Sequence, residues 1–224
     1  DLFNDSQDKT IHASNKIVEL KPVRENIKNT TEIDEDLKRR ENTIIAILLD
    51  SNANMFAKIK EQITNLIKKD DYKTIANKIY EAKNIFFIGR GIDYALCMEG
   101  SLKLKEISYI SSVAYQAGEL KHGTISLIEE NTPVIAILTE EELIKKTISN
   151  IKEVKARGAN TIIITNKNIQ GDFYDEKITI PKTDELFQQL LTIIPLQLIA
   201  YEVAKLNNCD IDKPRNLAKS VTVE

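Results

Sequence analysis

Cysteine is scarce in this chain. Two of 224 residues are cysteines, Cys97 and Cys209, too few for a disulfide framework and in keeping with a reducing compartment. A basic excess is also missing. The 31 Lys and Arg are outnumbered by 34 Asp and Glu, giving a net charge of −3, whereas a dedicated nucleic-acid binder ordinarily carries surplus positive charge. The longest apolar run, Leu190 to Ala200, is interrupted by Thr192, Pro195 and Gln197, so no membrane span is expected. Histidine occurs only at His12 and His122. Two histidines and two distant cysteines offer no metal-ligand cluster of recognised spacing. The opening Asp-Leu-Phe-Asn-Asp shows no signal-peptide pattern and no initiator methionine, consistent with a cytoplasmic chain that is a piece of a longer polypeptide.

What is present is ordinary for a globular protein: 42% hydrophobic and 29% charged residues, in a chain long enough for a real core. Residues Asp1 to about Arg40 are polar, with Phe3 the single aromatic and a short strand-like run at Lys16 to Leu20. They bury little, so a connector, an insertion or a disordered arm over residues 1–40 is expected, with His12 solvated. From Asn42 the pattern turns helical. Ile44, Ile45, Leu48 and Leu49 form one stripe, and Phe56, Ile59, Ile63, Leu66 and Ile67 a second. A third helix is expected over Tyr72 to Ala82. Brief apolar runs at Asn84 to Gly89, Pro133 to Leu138, Asn160 to Thr165 and Lys177 to Ile180 read as buried strands. Helices are expected at Glu141 to Arg157, closed by Gly158, and at Asp184 to about Leu206, where Pro195 should bend or divide the helix. The alternation implies an α/β domain over residues 41–209, its mainly parallel sheet covered on both faces. Residues 210–224 form a tail that Pro214 keeps from continuing the helix.

The chemistry gathers in Glu99 to Gly123. Helical spacing puts Glu99, Lys103 and Glu106 on one face. That face is either a solvated stripe with an i,i+4 ion pair or a site where a carboxylate shuttles a proton while a lysine steadies an enolate oxygen. Val113 to Tyr115 should be extended. His122 follows between two glycines, either presented to a ligand or half-buried and structural. Gly89-Arg90-Gly91 is either a tight strand-to-helix turn or an anion site at a helix N-terminus. It lacks the third glycine of a dinucleotide fingerprint, and the chain has no P-loop lysine-serine pair. Cys97, between Leu96 and Met98, reads as a core residue.

Three stretches resemble the sugar-isomerase (SIS) half of the glutamine–fructose-6-phosphate aminotransferases: E-G-S-L-K-L-K-E-I-S-Y-I from Glu99, G-E-L-K-H-G from Gly118, and D-I-D-K-P-R-N-L-A-K-S-V-T-V-E from Asp210. The resemblance implies a three-layer αβα sandwich of the flavodoxin- or Rossmann-like kind, acting in hexosamine synthesis without a cofactor. It implies that Glu106 moves a proton between C1 and C2 of the sugar, Lys103 assists at its hydroxyls, and His122 helps open the ring in a neighbouring subunit's site. Lys219 would form a Schiff base with the ketose. Glu99, Ala218 and Gly89 are candidates for substrate contact. The tail would carry its amine across the sheet to an acid and an imidazole near the sheet's upper rim.

The match begins near Glu35, and residues 1–33 match nothing in the family. No S-x-S-G-x-T phosphate loop occurs, and Thr124 stands where proline is usual. The partners implied are fructose-6-phosphate or glucosamine-6-phosphate, a first SIS subdomain and a glutaminase domain outside this chain, and a second copy in a homodimer. Neither nucleic acid nor membrane is expected. The alternatives are a phosphosugar-binding regulatory module without turnover and a scaffold piece whose apolar faces serve assembly.

Overall fold

The computed structural model describes residues 9–13, 16–20 and 55–216. The chain divides into two units, 1–61 and 62–224. In the first, Lys9–Ala13 (β1) and Lys16–Leu20 (β2) pair antiparallel, with Ile11 opposite Val18. The strand expected at Lys16 to Leu20 is present. Its partner carries only Ile11 as a large apolar residue, which left no strand signal. The stripe expected at Ile44 to Leu49 lies outside the described residues.

A helix over residues 55–67 (α1) supplies Ile63 and Leu66 to the core of the second unit. There follow Asp71–Ile79 (α2), Asn84–Gly89 (β3), Ile92–Ser108 (α3) and Ser111–Gln116 (β4), then two short 3-10 helices, Ala117–His122 and Thr124–Leu127. Pro133–Leu138 (β5), Ile144–Lys155 (α4), Asn160–Thr165 (β6), Glu176–Thr179 (β7) and Glu185–Leu206 (α5) complete it. All five strands of the sheet are parallel, in the order β4-β3-β5-β6-β7. The chain leaves β3 for the neighbour on one side and then crosses to β5 on the other. That reversal is the topological switch point, whose carboxyl-end crevice takes ligands in open α/β sheets.

Alternation along the strands builds two cores. Ile85, Phe87, Ile135, Ile137, Ile162 and Ile164 meet α2, α3 and α5 on one face. Phe86, Ile88, Val134, Ala136 and Ile163 meet α4 and the first 3-10 helix on the other. Strands buried on both sides must be apolar at every position, which is why they appeared as unbroken runs.

Helix α5 bears on two expectations. It runs through Pro195 as one helix, so the proline does not divide it. A mid-helix proline costs roughly 3 kcal/mol, and the buried Leu196, Ile199, Ala200 and Val203 that follow hold the helix in place. Its stretch Phe187–Leu206 is also long and apolar enough to cross a membrane, with mean hydropathy 1.2. Packing against α2 and α3 accounts for the apolarity: α5 is the central helix of its layer. Where it crosses α3, a Cβ on Gly100 would lie 3.0 Å from the Leu196 side chain.

Candidate active site

Helix α3 packs through Cys97, Gly100, Ser101, Leu104 and Ser108. Leu102, apolar but on another face, stays 41% exposed. Burial pushes the Cys97 thiol well up, so it is a core residue. On the outward side the Lys103 ammonium lies 2.9 Å from Glu106 and 3.5 Å from Glu99. The hydrogen bond to Glu106, with the charges of both acids, raises the lysine's pKa against the cost of burial. Lys103 is therefore held as a cation: able to polarise a hydroxyl or steady an oxyanion, unsuited to attacking a carbonyl. Beside it opens a cavity of about 370 Å³ lined by Lys103, Ile107, Ile194, Leu198 and Tyr201.

At the other end of α3, the turn Gly89-Arg90-Gly91 sits at the switch point. A Cβ on Gly89 would lie 2.7 Å from the Asp93 backbone. Gly89→Ala should therefore lower stability by about 1–3 kcal/mol, read by chemical denaturation, because backbone rather than a flexible side chain must give way. Gly91 has φ +56 and leaves the helix without a side-chain cap. Glu140, just past β5, takes that part: its carboxylate accepts hydrogen bonds from the backbone N–H of Ile92 and of Asp93. Asp93 reciprocates. Its Oδ2 accepts from the N–H of Thr139 at 2.8 Å and of Glu140 at 3.3 Å, and its Oδ1 from the Thr139 hydroxyl. Asp93 is 3% exposed, and burial raises its pKa against those hydrogen bonds. Arg90 reaches away to Asn150 at 2.9 Å. The position that an anion would take at this helix N-terminus is thus filled by the chain's own carboxylate.

His122 ends the first 3-10 helix, exposed, beyond the carboxyl end of β4. Glu106 lies fourteen residues into α3, which runs back toward the strands' amino ends. At 1.5 Å per residue the two are separated by on the order of 20 Å along the strand direction. They also sit on opposite faces, since the 3-10 helix packs with α4 and α3 with α5. The expectation of an acid and an imidazole sharing the upper rim is not met within one chain. Glu99, Lys103 and Glu106 come together, whereas Gly89 and His122 belong to the carboxyl edge.

The tail begins at the amino edge. After α5, the Cys209 thiol approaches the Ser108 carbonyl at 3.9 Å. Asp210 Oδ1 accepts from the N–H of Asp212 and of Lys213 at 3.1 and 2.9 Å. Arg215 then reaches Tyr109, the residue capping α3: its guanidinium lies 4.1 Å from the ring centroid and its backbone N–H donates to the phenol oxygen at 2.9 Å. Tyr109 has φ +62, a conformation costing a non-glycine residue roughly 1–2 kcal/mol. Ala218 and Lys219 lie outside the described residues.

Comparison with known proteins shows the family. The SIS domain model matches residues 78–206. The chain belongs to the SIS-domain family. It is 59% identical over 155 residues to a glutamine–fructose-6-phosphate aminotransferase [isomerizing] of Clostridium tetani, covering 68% of this chain and 25% of that protein. It is 52% identical over 171 residues to the Caldanaerobacter subterraneus protein of the same name, covering 75% and 28%. The C-terminal domain of glucosamine-fructose-6-phosphate aminotransferase from Francisella tularensis superposes with a TM-score of 0.66 at 34% identity, over 72% of this chain and 46% of that one. The chain thus spans about a quarter of the length of the curated relatives it matches.

Among the described residues, the Glu99–Lys103–Glu106 cluster is where two carboxylates meet a cation beside a cavity. It pairs a carboxylate with a fixed cation beside a cavity and the root of the tail. Sequence reasoning missed the Asp93–Glu140 exchange and the Tyr109–Arg215 stack. The only trace of either was Asp93 in the first turn of a helix, where an acid ordinarily just answers the dipole.

Proposed function

We propose that this chain is the isomerase portion of an enzyme making glucosamine-6-phosphate from fructose-6-phosphate and glutamine, acting in the cytoplasm as a homodimer. The observation that carries the reading is the 59% identity to a protein named for that reaction. The assembled Glu99–Lys103–Glu106 face supports it. The Lys219 amine adds to the C2 carbonyl and water leaves, giving an imine. Ammonia delivered from beyond this chain, or water in its absence, then adds at C2 and expels the lysine amine; on the resulting C2 imine or ketone Glu106 takes the proton from C1 and returns it at C2, and Lys103 steadies the oxygen that gains charge. Lys103, held cationic, leaves the nucleophile's part to Lys219. The phosphate grip and nitrogen delivery fall to parts beyond this chain. His122, remote from its own chain's Glu106, serves the site of a second copy.

A phosphosugar-binding module without turnover fits less well, because Glu140 already fills the switch-point crevice where such a module would hold its anion. The two readings separate in deuterium oxide. The intact native polypeptide, given fructose-6-phosphate without glutamine, should form glucose-6-phosphate labelled with solvent deuterium at C2 and leave recovered fructose-6-phosphate labelled at C1. Sugar binding with no exchange would favour the module.

A further inference from the structure

The 3-10 helix that carries His122 is braced by a side chain from the switch point. We propose that the Arg90 guanidinium is a clamp that sets where His122 stands, which makes Arg90 and Gly118 positioning residues for the ring-opening step; the inference rests on the function proposed above.

Three observations carry it. Arg90 bridges separate elements. From the carboxyl end of β3 its Nη2 donates to Asn150 Oδ1 on α4 at 2.9 Å. The same group lies against Gly118, where a Cβ would stand 2.6 Å from Nη2 and 3.2 Å from Cζ. The acceptor is itself fixed: Asn150 is 6% exposed, and its amide nitrogen turns to Glu153 at 3.4 Å. Arg90 Nε, finally, is buried without a hydrogen-bond partner among the described residues. An unpaired buried donor is costly, so the side chain is kept for its span and its flat face rather than for complete hydrogen bonding.

The consequence is geometric. In the 3-10 helix, Ala117 and Leu120 are the buried residues, both packed into the second core. Residues three apart eclipse in such a helix, so the two form a single ridge. A single ridge resists translation but leaves the helix free to roll about it. Gly118 lies off that ridge, and the guanidinium against it blocks the roll. Gly118 is not in the left-handed region, so its missing Cβ serves this close approach and not the backbone. His122 follows four residues later, about 8 Å along the helix axis. It is exposed, so the helix beneath it, rather than packing of its own ring, sets its position.

Two measurements on the intact native polypeptide test the clamp. The first is amide hydrogen exchange over Ala117–His122. Arg90→Ala should speed it by about tenfold, the signature of a local opening, with β5 unchanged. Gly118→Ala should act in the same direction, because its Cβ displaces the guanidinium. The double variant should exchange no faster than Arg90→Ala alone, since both changes remove one contact. The second compares two sugars. Fructose-6-phosphate must open its ring. The 5-deoxy analogue lacks the C5 hydroxyl that closes the furanose, and its O6 carries the phosphate, so it stays open. Misplacement of a reacting group by about 1 Å can cost as much as 10²-fold. Arg90→Ala should therefore slow turnover of fructose-6-phosphate by roughly 10- to 10²-fold and leave the open analogue almost untouched, as should His122→Gln. Unchanged exchange over Ala117–His122 in Arg90→Ala would overturn the proposal. So would an additive double variant, or equal slowing on both sugars in Arg90→Ala while His122→Gln discriminates between them. If His122→Gln itself slowed both sugars equally, the ring-opening part of the function proposed above would fall, and faster exchange in Arg90→Ala would leave the clamp standing.

Discussion

Glu106→Gln is expected to slow the interconversion of fructose-6-phosphate and glucose-6-phosphate by roughly 10²- to 10⁴-fold, the range a positioned acid–base group supplies. The amide keeps the shape and still reaches Lys103, but it cannot accept the C1 proton. The loss should fall on kcat with KM little changed, since the proton moves only in the transition state. Folding should hardly notice. The Lys103–Glu106 pair lies on the outward face of α3, with side chains 36% and 24% exposed. Such pairs contribute about 0–1 kcal/mol, so a normal thermal transition alongside lost turnover would assign the effect to chemistry. Loss of the thermal transition, or full turnover, would contradict this assignment of Glu106.

The second large effect concerns Asp93. Asp93→Ala removes the acceptor for the N–H groups of Thr139 and Glu140 and for the Thr139 hydroxyl. A fully buried donor left unpaired costs roughly 1–3 kcal/mol, and because Thr139 and Glu140 are only half-buried the three together are expected to cost about 2–5 kcal/mol in denaturant unfolding. Asp93→Asn keeps an oxygen for the backbone donors and should cost far less. The two forms also differ in pH dependence. The folded-state pKa of Asp93 is raised, chiefly by burial. Its contribution is therefore fully present below the unfolded value near 3.9 and is lost as pH rises through the folded one. The stability of Asp93→Asn relative to the unaltered chain should accordingly increase as pH rises from about 4 through that transition. A relative stability that fell with rising pH would contradict a raised pKa.

These two sites differ in how far the sequence reveals them. Glu99, Lys103 and Glu106 are legible because helical spacing is local: a pitch of 3.6 residues brings them together without tertiary information. The strands are legible for a related reason, since burial on both faces leaves Phe86, Ile88, Ile135 and Ile163 no polar neighbours along the chain. Asp93 and Glu140 are 47 residues apart, and only the β3–β5 adjacency at the switch point brings them into contact. Tyr109 carries no glycine signal at the place where the backbone turns left-handed, so the cap and its partner Arg215 stay hidden.

The misplaced rim has a different origin. A helix crossing between parallel strands must run back toward their amino ends, so Glu106, near the end of α3, belongs to the amino edge by connectivity alone. His122, just past a strand's carboxyl end, belongs to the other. The sequence held that information, and proximity along the chain concealed it.

Reductive trapping tests most directly the proposed meeting of the tail amine with the sugar carbonyl beside Glu106 and Lys103. The intact native polypeptide is mixed with fructose-6-phosphate, reduced with borohydride and mapped by peptide mass. The account predicts one hexose-phosphate adduct, on Lys219, absent from Lys219→Arg and still formed in Glu106→Gln, whose defect lies at the later proton transfer. An adduct on Lys103 instead, or no adduct while the sugar turns over, would contradict it.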